Sequence, residues 1–344
     1  MPVPTCRTVP LDRYLTPPDY PDWQSAAADA VRDPVELCRL LELPTSLAAV
    51  AQRAGDGFPL LVPRTYLSRI RVGDANDPLL LQILPREGEL AISPRFTRDP
   101  IGEADSILPG GALWKYQNRV LMVTTGVCAV HCRFCFRRHF PYEEAVREAR
   151  RWQNALERIA REASIHEVIL SGGDPLSMSD QVLARLVERL DAIRHLRRLR
   201  VHTRQPVLIP QRVTRELVHL LRASRLTAIV VLHINHLAEI DRAVDSAIGQ
   251  LVDAGIPILQ QGVLLRGIND RLETLAELYE RLVDLRVMPY YLHQLDRVAG
   301  AAHFEVPEEE GMRLIEQLRA RLPGYAVPRL VREVAGAPNK VVLA

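Results

Sequence analysis

Three cysteines, Cys128, Cys132 and Cys135, stand at CxxxCxxC spacing in the run C-A-V-H-C-R-F-C, just after an apolar stretch and Gly126. Thiols at such short fixed spacing favour a metal site over three unrelated buried thiols, with zinc and a distant fourth ligand as the other metal reading. A [4Fe–4S] cluster usually takes four thiolates, so three leave one iron open to another ligand. Zinc prefers two-residue gaps and a closed tetrahedron, and no second CxxC or HxxxH pair follows, which favours iron–sulfur. Further along, Ser171-Gly172-Gly173-Asp174-Pro175 reads as a turn whose glycines let the backbone approach a ligand and offer N–H groups to a carboxylate or phosphate. An ordinary strand-to-helix turn would look the same. Arg137 and Arg138 offer guanidinium forks matched to carboxylates, or are a plain surface pair. Asp296 and Glu333 are isolated acids, a type usually solvated. His233 and His236 stand three apart, a spacing better suited to structural or ligand contacts than to a metal without a Cys or Asp partner. Lys340, after a Gly/Pro turn, reads on composition as a solvated charge.

The elements that must carry these residues follow from periodicity. From Arg119 onward, short apolar runs at 120–125, 167–171, 199–203, 228–233, 256–264 and 288–294 alternate with amphipathic stretches near 143–162, 179–193, 213–223, 239–254, 271–285 and 308–321. Six strand–helix units imply parallel strands with right-handed crossovers. Six are too few for a closed eight-stranded barrel, so an open or partial (β/α) barrel is expected, with ligands at the C-terminal strand ends. Those ends are all polar or glycine-rich: the cysteine run, Ser171–Asp174, His202-Thr-Arg204, His233-Ile-Asn-His236, Gln260-Gln261 and His293-Gln-Leu-Asp296. Upstream, residues 1–115 form an extension with helical patterns at 23–31, 33–41 and 46–54, while 66–72 and 79–84 fit strands or helical turns equally. The expected division is 1–115, a barrel core over 116–325 and a C-terminal segment over 326–344.

At 344 residues and 47% hydrophobic, the chain can bury a sizeable core. Its 44 basic and 42 acidic residues nearly cancel, giving no reason to expect a nucleic-acid or membrane partner. The start, MPVPTCRTVPLDRY, has no apolar h-region and no run reaches spanning length. With Cys6 and Cys38 the only other cysteines, no disulfide framework is expected, and a reducing cytoplasmic setting is.

Read in order, CxxxCxxC with F-R-R-H-F-P-Y, then SGGDPL, HTRQPVLIPQR, HINH, LLRGIND, and MPYYLHQLD with AGAAHF resemble the lysine 2,3-aminomutase family of radical S-adenosylmethionine (SAM) enzymes, from about Tyr116 to Lys340. The likeness is greatest to the short subfamily that makes (R)-β-lysine for elongation factor P. It implies a radical SAM partial (β/α)6 barrel with a helical N-terminal extension and a short C-terminal segment carrying a pyridoxal phosphate (PLP) lysine. It also implies a [4Fe–4S] cluster on Cys128, Cys132 and Cys135, with SAM bound to the open iron and cleaved to a 5′-deoxyadenosyl radical. Lys340 would carry PLP as an imine, with Arg119 and Gln261 near the PLP phosphate. Ser171, Gly172, Gly173 and Asp174 would hold the SAM amino group, with His233 on the SAM side. Arg137 would grip the substrate carboxylate; Asp296 and Glu333 would face the side-chain ammonium of lysine. Implied partners are lysine, a flavodoxin- or ferredoxin-type electron donor, and a functional link to elongation factor P and its lysyl-ligase. Glu333 stands where longer members have Asp. No cysteine follows Cys135, so the zinc-binding tail of those members has no counterpart, which leaves the homo-oligomer open. Two alternatives stand: an aminomutase for another cationic amino acid such as arginine, and an iron–sulfur or zinc protein for binding or electron transfer without PLP.

Overall fold

In the computed structural model, described over residues 14–103, 107–108, 112–142 and 151–344, one ten-stranded sheet runs through the chain in sequence order. It begins with an antiparallel pair, β1 (Ile107–Leu108) and β2 (Ala112–Tyr116), and β2 turns antiparallel onto β3 (Arg119–Thr125). From β3 the sheet is parallel through β4 (Glu167–Gly172), β5 (Arg198–Thr203), β6 (Thr227–His233), β7 (Ile258–Val263), β8 (Met288–His293) and β9 (Arg329–Arg332). The final strand, β10 (Val341–Val342), returns antiparallel on β9. β1 and β10 are the two edges, so the barrel is open. The six expected strand–helix units are present, and β9 adds a seventh parallel strand. Residues 143–150, the front of the first expected helix, and Cys6 lie outside the described residues; the helix is described over Arg151–Arg161.

Alternation along the strands decides what each face does. Val120, Met122, Val168, Leu170, Leu199, Val201, Ala228, Val230, Ile258 and Leu292 point outward and pack under the helices in the main hydrophobic core. Residues between them face inward. The parallel register puts Arg119 beside Glu167, and Glu167 beside Arg198; it puts His233 beside Gln261, and Gln261 beside Tyr291. An interior lined by charged and polar groups cannot close on itself as a packed core without heavy desolvation cost. It is built around a cavity.

The N-terminal extension has its own apolar core, centred on Leu37, Leu41, Tyr66, Leu67, Ile70, Leu79, Leu80 and Ile83. The two ambiguous stretches contain helical turns, Arg64–Leu67 and Pro78–Leu81. Asp77 caps the second, accepting from the Leu79 N–H at 2.8 Å, with Pro78 at its first position. This core closes on Ala129 and Val130 of the cysteine loop and on Leu208 and Ile209 after β5. The loop is also clamped by hydrogen bonds: the His131 N–H donates to the Leu61 carbonyl at 3.0 Å and the Arg133 N–H to the Gln82 carbonyl at 2.9 Å. Arg133 is fully buried and forks onto Glu89, with Nε to Oε1 at 2.9 Å and Nη2 to Oε2 at 2.6 Å. Arg138 joins the same carboxylate at 2.8 Å, so it is a buried clamp and not a surface charge. Removing one partner of a buried pair strands the other charge. Glu89→Gln is therefore expected to lower folding stability by about 3 kcal/mol, read as a reduced urea midpoint; a midpoint unchanged from the parent would contradict the clamp. Among the described residues, no helix is long and apolar enough to cross a membrane.

Candidate active site

A cavity of about 720 Å³ fills the barrel. Cys128, Cys132 and Cys135 line it together with Arg137, Ser171–Asp174, His233, Gln261, Arg119, Asp296, Glu333 and Lys340. These residues meet in one space, although Cys128 and Lys340 lie more than 200 positions apart; Arg138 and His236, also candidates in the sequence, do not line it. Each is delivered by an inward-facing strand position or by a loop just beyond a strand. Apolar side chains complete the wall, among them Leu121, Ile169, Ile229, Leu259 and Val263.

The three thiols lie within electrostatic reach of one another and are partly buried. Burial pushes Cys128 well above the ordinary thiol range, with the nearby Asp174 carboxylate and the other two thiols adding to it. Burial and Cys132 push Cys135 up to about 11. Arg204 donates from Nη1 to Cys132 Sγ at 2.8 Å. Three close thiolates repel one another, and a polynuclear cation removes that penalty. The donor set fits an iron–sulfur cluster.

The Ser171–Asp174 turn corrects one expectation. The Gly173 N–H donates to the Thr125 carbonyl at 2.7 Å and the Asp174 N–H to the Val127 carbonyl at 2.8 Å, so neither is left for an anion. Gly172 has φ +118°, and a Cβ there would sit 2.6 Å from the Thr125 oxygen; at Gly173 one would sit 2.4 Å from the Val127 oxygen. The glycines thus serve loop-to-loop contact. The Gly172 carbonyl accepts from the Tyr142 hydroxyl at 2.8 Å and the Ser171 carbonyl from Thr124 Oγ1 at 3.0 Å, so the turn meets donors with its carbonyls, the polarity an ammonium would require. The Asp174 carboxylate is also spent. It accepts from Thr203 Oγ1 at 2.7 Å and from the N–H groups of Leu176, Arg204 and Gln205 at 3.0, 2.7 and 3.0 Å, tying the ends of β4 and β5 together.

Arg137 is buried and meets a carboxylate within the chain: Nε and Nη2 each lie 2.6 Å from a Glu103 oxygen, and Nη1 donates to Ser171 Oγ at 3.1 Å. Glu333 accepts from the Tyr116 hydroxyl and pairs with the Lys340 ammonium. Asp296 follows β8 at the cavity wall. Arg119 lies over the Tyr116 ring, its Cζ 4.5 Å from the centroid.

Three histidines face the same space from the ends of β5, β6 and β8: His202, His233 and His293. Burial, reinforced by Arg204, depresses His233 to about 3. Burial holds His202 and His293 well below the usual histidine range, with Arg200 then Lys340 adding at the first and Lys340 at the second. All three are neutral at pH 7. The buried Nε2 atoms of His202 and His233 have no hydrogen-bond partner among the described residues, which fits a cavity that takes a polar ligand. His236, by contrast, caps a short helix by accepting from the Ala238 N–H at 3.0 Å. Sequence reasoning gave no role to Glu103, Tyr116, Tyr142 or Arg204. Of these only Arg204 carried a signal, its place at a strand end.

Residues 122–280 match the radical SAM superfamily. The chain is 45% identical over 330 residues to an L-lysine 2,3-aminomutase of Escherichia coli (strain K12), covering 96% of each chain. It is 42% identical to the L-lysine 2,3-aminomutase of Haemophilus influenzae, over 94% of this chain and 96% of that one. The chain belongs to the lysine 2,3-aminomutase family of radical SAM enzymes. The L-lysine 2,3-aminomutase of Clostridium subterminale is more distant, 34% identical over 97% of this chain and 80% of its own. Membership of this isomerase family implies a [4Fe–4S] cluster and SAM, and the thiols and acceptor-rich turn described above fit both.

Proposed function

We propose that this chain is a PLP-dependent L-lysine 2,3-aminomutase that converts (S)-α-lysine to (R)-β-lysine. What carries the reading is the single cavity that joins three clustered thiols to Lys340 and two carboxylates. When bound, the reduced cluster and SAM supply a 5′-deoxyadenosyl radical, and PLP carries the migrating nitrogen. Cys128, Cys132 and Cys135 hold the cluster. The Ser171–Asp174 turn holds the amino group of SAM through its carbonyl face, with His233 beside it as a neutral contact. Arg119 and Gln261 hold the PLP phosphate, and Lys340 forms the covalent link to PLP. Arg137, oriented by Glu103, binds the substrate carboxylate through the donors that Glu103 does not fill.

Asp296 and Glu333 receive the side-chain ammonium of lysine. Glu333 already accepts an ammonium in this structure, that of Lys340. That carboxylate faces the cavity, so it is the kind of acceptor a substrate ammonium needs. Two carboxylates favour a cationic side chain and repel that of glutamate. The apolar wall keeps water from the reacting carbons. We further propose that the enzyme works in the cytoplasm with a flavodoxin- or ferredoxin-type electron donor, and that its product modifies elongation factor P. Likeness to the short subfamily supports that link.

The test is product analysis after anaerobic reconstitution with lysine, arginine or glutamate, using the parent protein and Asp296→Asn. The parent should isomerise lysine alone. Asp296→Asn removes a charge-assisted contact of about 2 kcal/mol, so lysine turnover per KM should fall roughly 30-fold while substrate-free SAM cleavage is unchanged. Equal turnover of arginine would reassign the substrate, and equal loss of both activities would remove Asp296 from the substrate pocket.

A further inference from the structure

Arg204 is held in a way that no role proposed above explains. It is 6% exposed and its guanidinium is divided between two sides. Nη1 faces Cys132 Sγ at 2.8 Å, while Nη2 donates to Gln82 Oε1 at 2.6 Å and Glu239 Oε2 at 2.8 Å. The backbone is fixed too, because the Arg204 N–H donates to Asp174. Glu239 is fully buried and is itself pinned: its Oε1 accepts from the N–H groups of Asn235 at 2.9 Å and His236 at 3.1 Å. Gln82 comes from the N-terminal extension, and its carbonyl accepts from the Arg133 N–H inside the cysteine loop. Phe134 and Tyr66 lie near the guanidinium, with centroids 5.8 and 5.6 Å from Cζ.

We propose that Arg204 is a positioning residue for the iron–sulfur cluster, directing a hydrogen bond from a buried cation onto the Cys132 sulfur and thereby making the cluster easier to reduce. The inference rests on the cluster assignment given above and concerns only how this chain tunes it. Reduction adds one negative charge to a site already carrying three thiolates. A buried N–H donor aimed at sulfur stabilises the reduced form more than the oxidised one, and low local dielectric enlarges the difference. Glu239 and Gln82 fix the opposite edge of the guanidinium, so the positive end of the pair points at sulfur instead of collapsing onto an acid. Outer-shell hydrogen bonds of this kind set ligand orientation and metal electronics. The N-terminal extension thereby gains a chemical purpose: through Gln82 it holds the donor, and through Leu61 and Gln82 it holds the loop that presents the acceptor.

The experiment is an EPR-monitored redox titration of anaerobically reconstituted full-length protein, without lysine or PLP, alongside measured iron content. Arg204→Lys keeps the charge but cannot span sulfur, Gln82 and Glu239 together. Its cluster should retain parental iron, while the reduced-to-oxidised ratio at a fixed potential falls about tenfold, a shift of about 59 mV for one electron. Gln82→Met removes one anchor at similar volume and should shift the ratio in the same direction by a smaller factor. An unchanged midpoint in Arg204→Lys with full iron overturns the proposal. Should Arg204→Lys lose its iron, Gln82→Met decides, and an unchanged midpoint there overturns it equally. A parent protein that assembles no cluster overturns the functional reading as well; a parental cluster with immobile midpoints overturns this inference alone.

Discussion

Cys132→Ala abolishes cleavage of SAM to 5′-deoxyadenosine in anaerobically reconstituted, reduced protein. Three thiolates on a four-iron cluster leave one iron open for SAM, and the cavity wall presents three. Removing the middle one leaves a second iron without a protein ligand and strips Arg204 of its acceptor. The loss should exceed the roughly 10–100-fold that removing an outer-shell partner costs, so it is separable from the effect of the Arg204 and Gln82 variants. Iron content and deoxyadenosine yield are the two readings. Deoxyadenosine formed at the parental rate would refute the assignment of the cysteines.

Lys340→Ala should eliminate β-lysine formation while leaving the cluster and its SAM cleavage intact. The residue sits in the turn between β9 and β10, held toward the cavity by Glu333 and within the electrostatic reach of His202 and His293. No thiol contacts it among the described residues, so its loss has no route to the iron ligands. Borohydride reduction of the PLP-loaded parent followed by peptide mass spectrometry should find the pyridoxyl group on Lys340 alone. A pyridoxyl group on another lysine, or none, would remove Lys340 from the mechanism.

The barrel was legible because each strand from β3 to β8 is a short apolar run whose alternate residues must face the helices, and the helices between them are long and amphipathic. β9 and β10 were not. Arg329–Arg332 is brief and charged at both ends, and Val341–Val342 is a two-residue strand that only its partner defines. The Ser171–Asp174 turn was legible as a place of close backbone approach, but its polarity was not: which groups remain for a ligand depends on the Thr125 and Val127 carbonyls, nearly fifty residues away. Lys340, bland on composition, became a candidate only through the resemblance, as did the roles of Asp296 and Glu333. The buried ion pairs were out of reach altogether. Glu103 with Arg137, Glu89 with Arg133, and Glu239 with Arg204 join residues 34, 44 and 35 positions apart. Periodicity and motif spacing describe one element at a time, and a lone acid looks the same whether it ends in solvent or under a guanidinium.

The most direct measurement follows one hydrogen atom. The reconstituted enzyme, given SAM, PLP, a reductant and lysine deuterated at C3, should place deuterium in the 5′-methylene of recovered SAM and at C2 of the β-lysine product, as read by mass spectrometry. That outcome requires SAM, cleaved at the cluster, and lysine to share one cavity. β-Lysine formed with no deuterium in SAM, or with hydrogen drawn from solvent, would contradict the account.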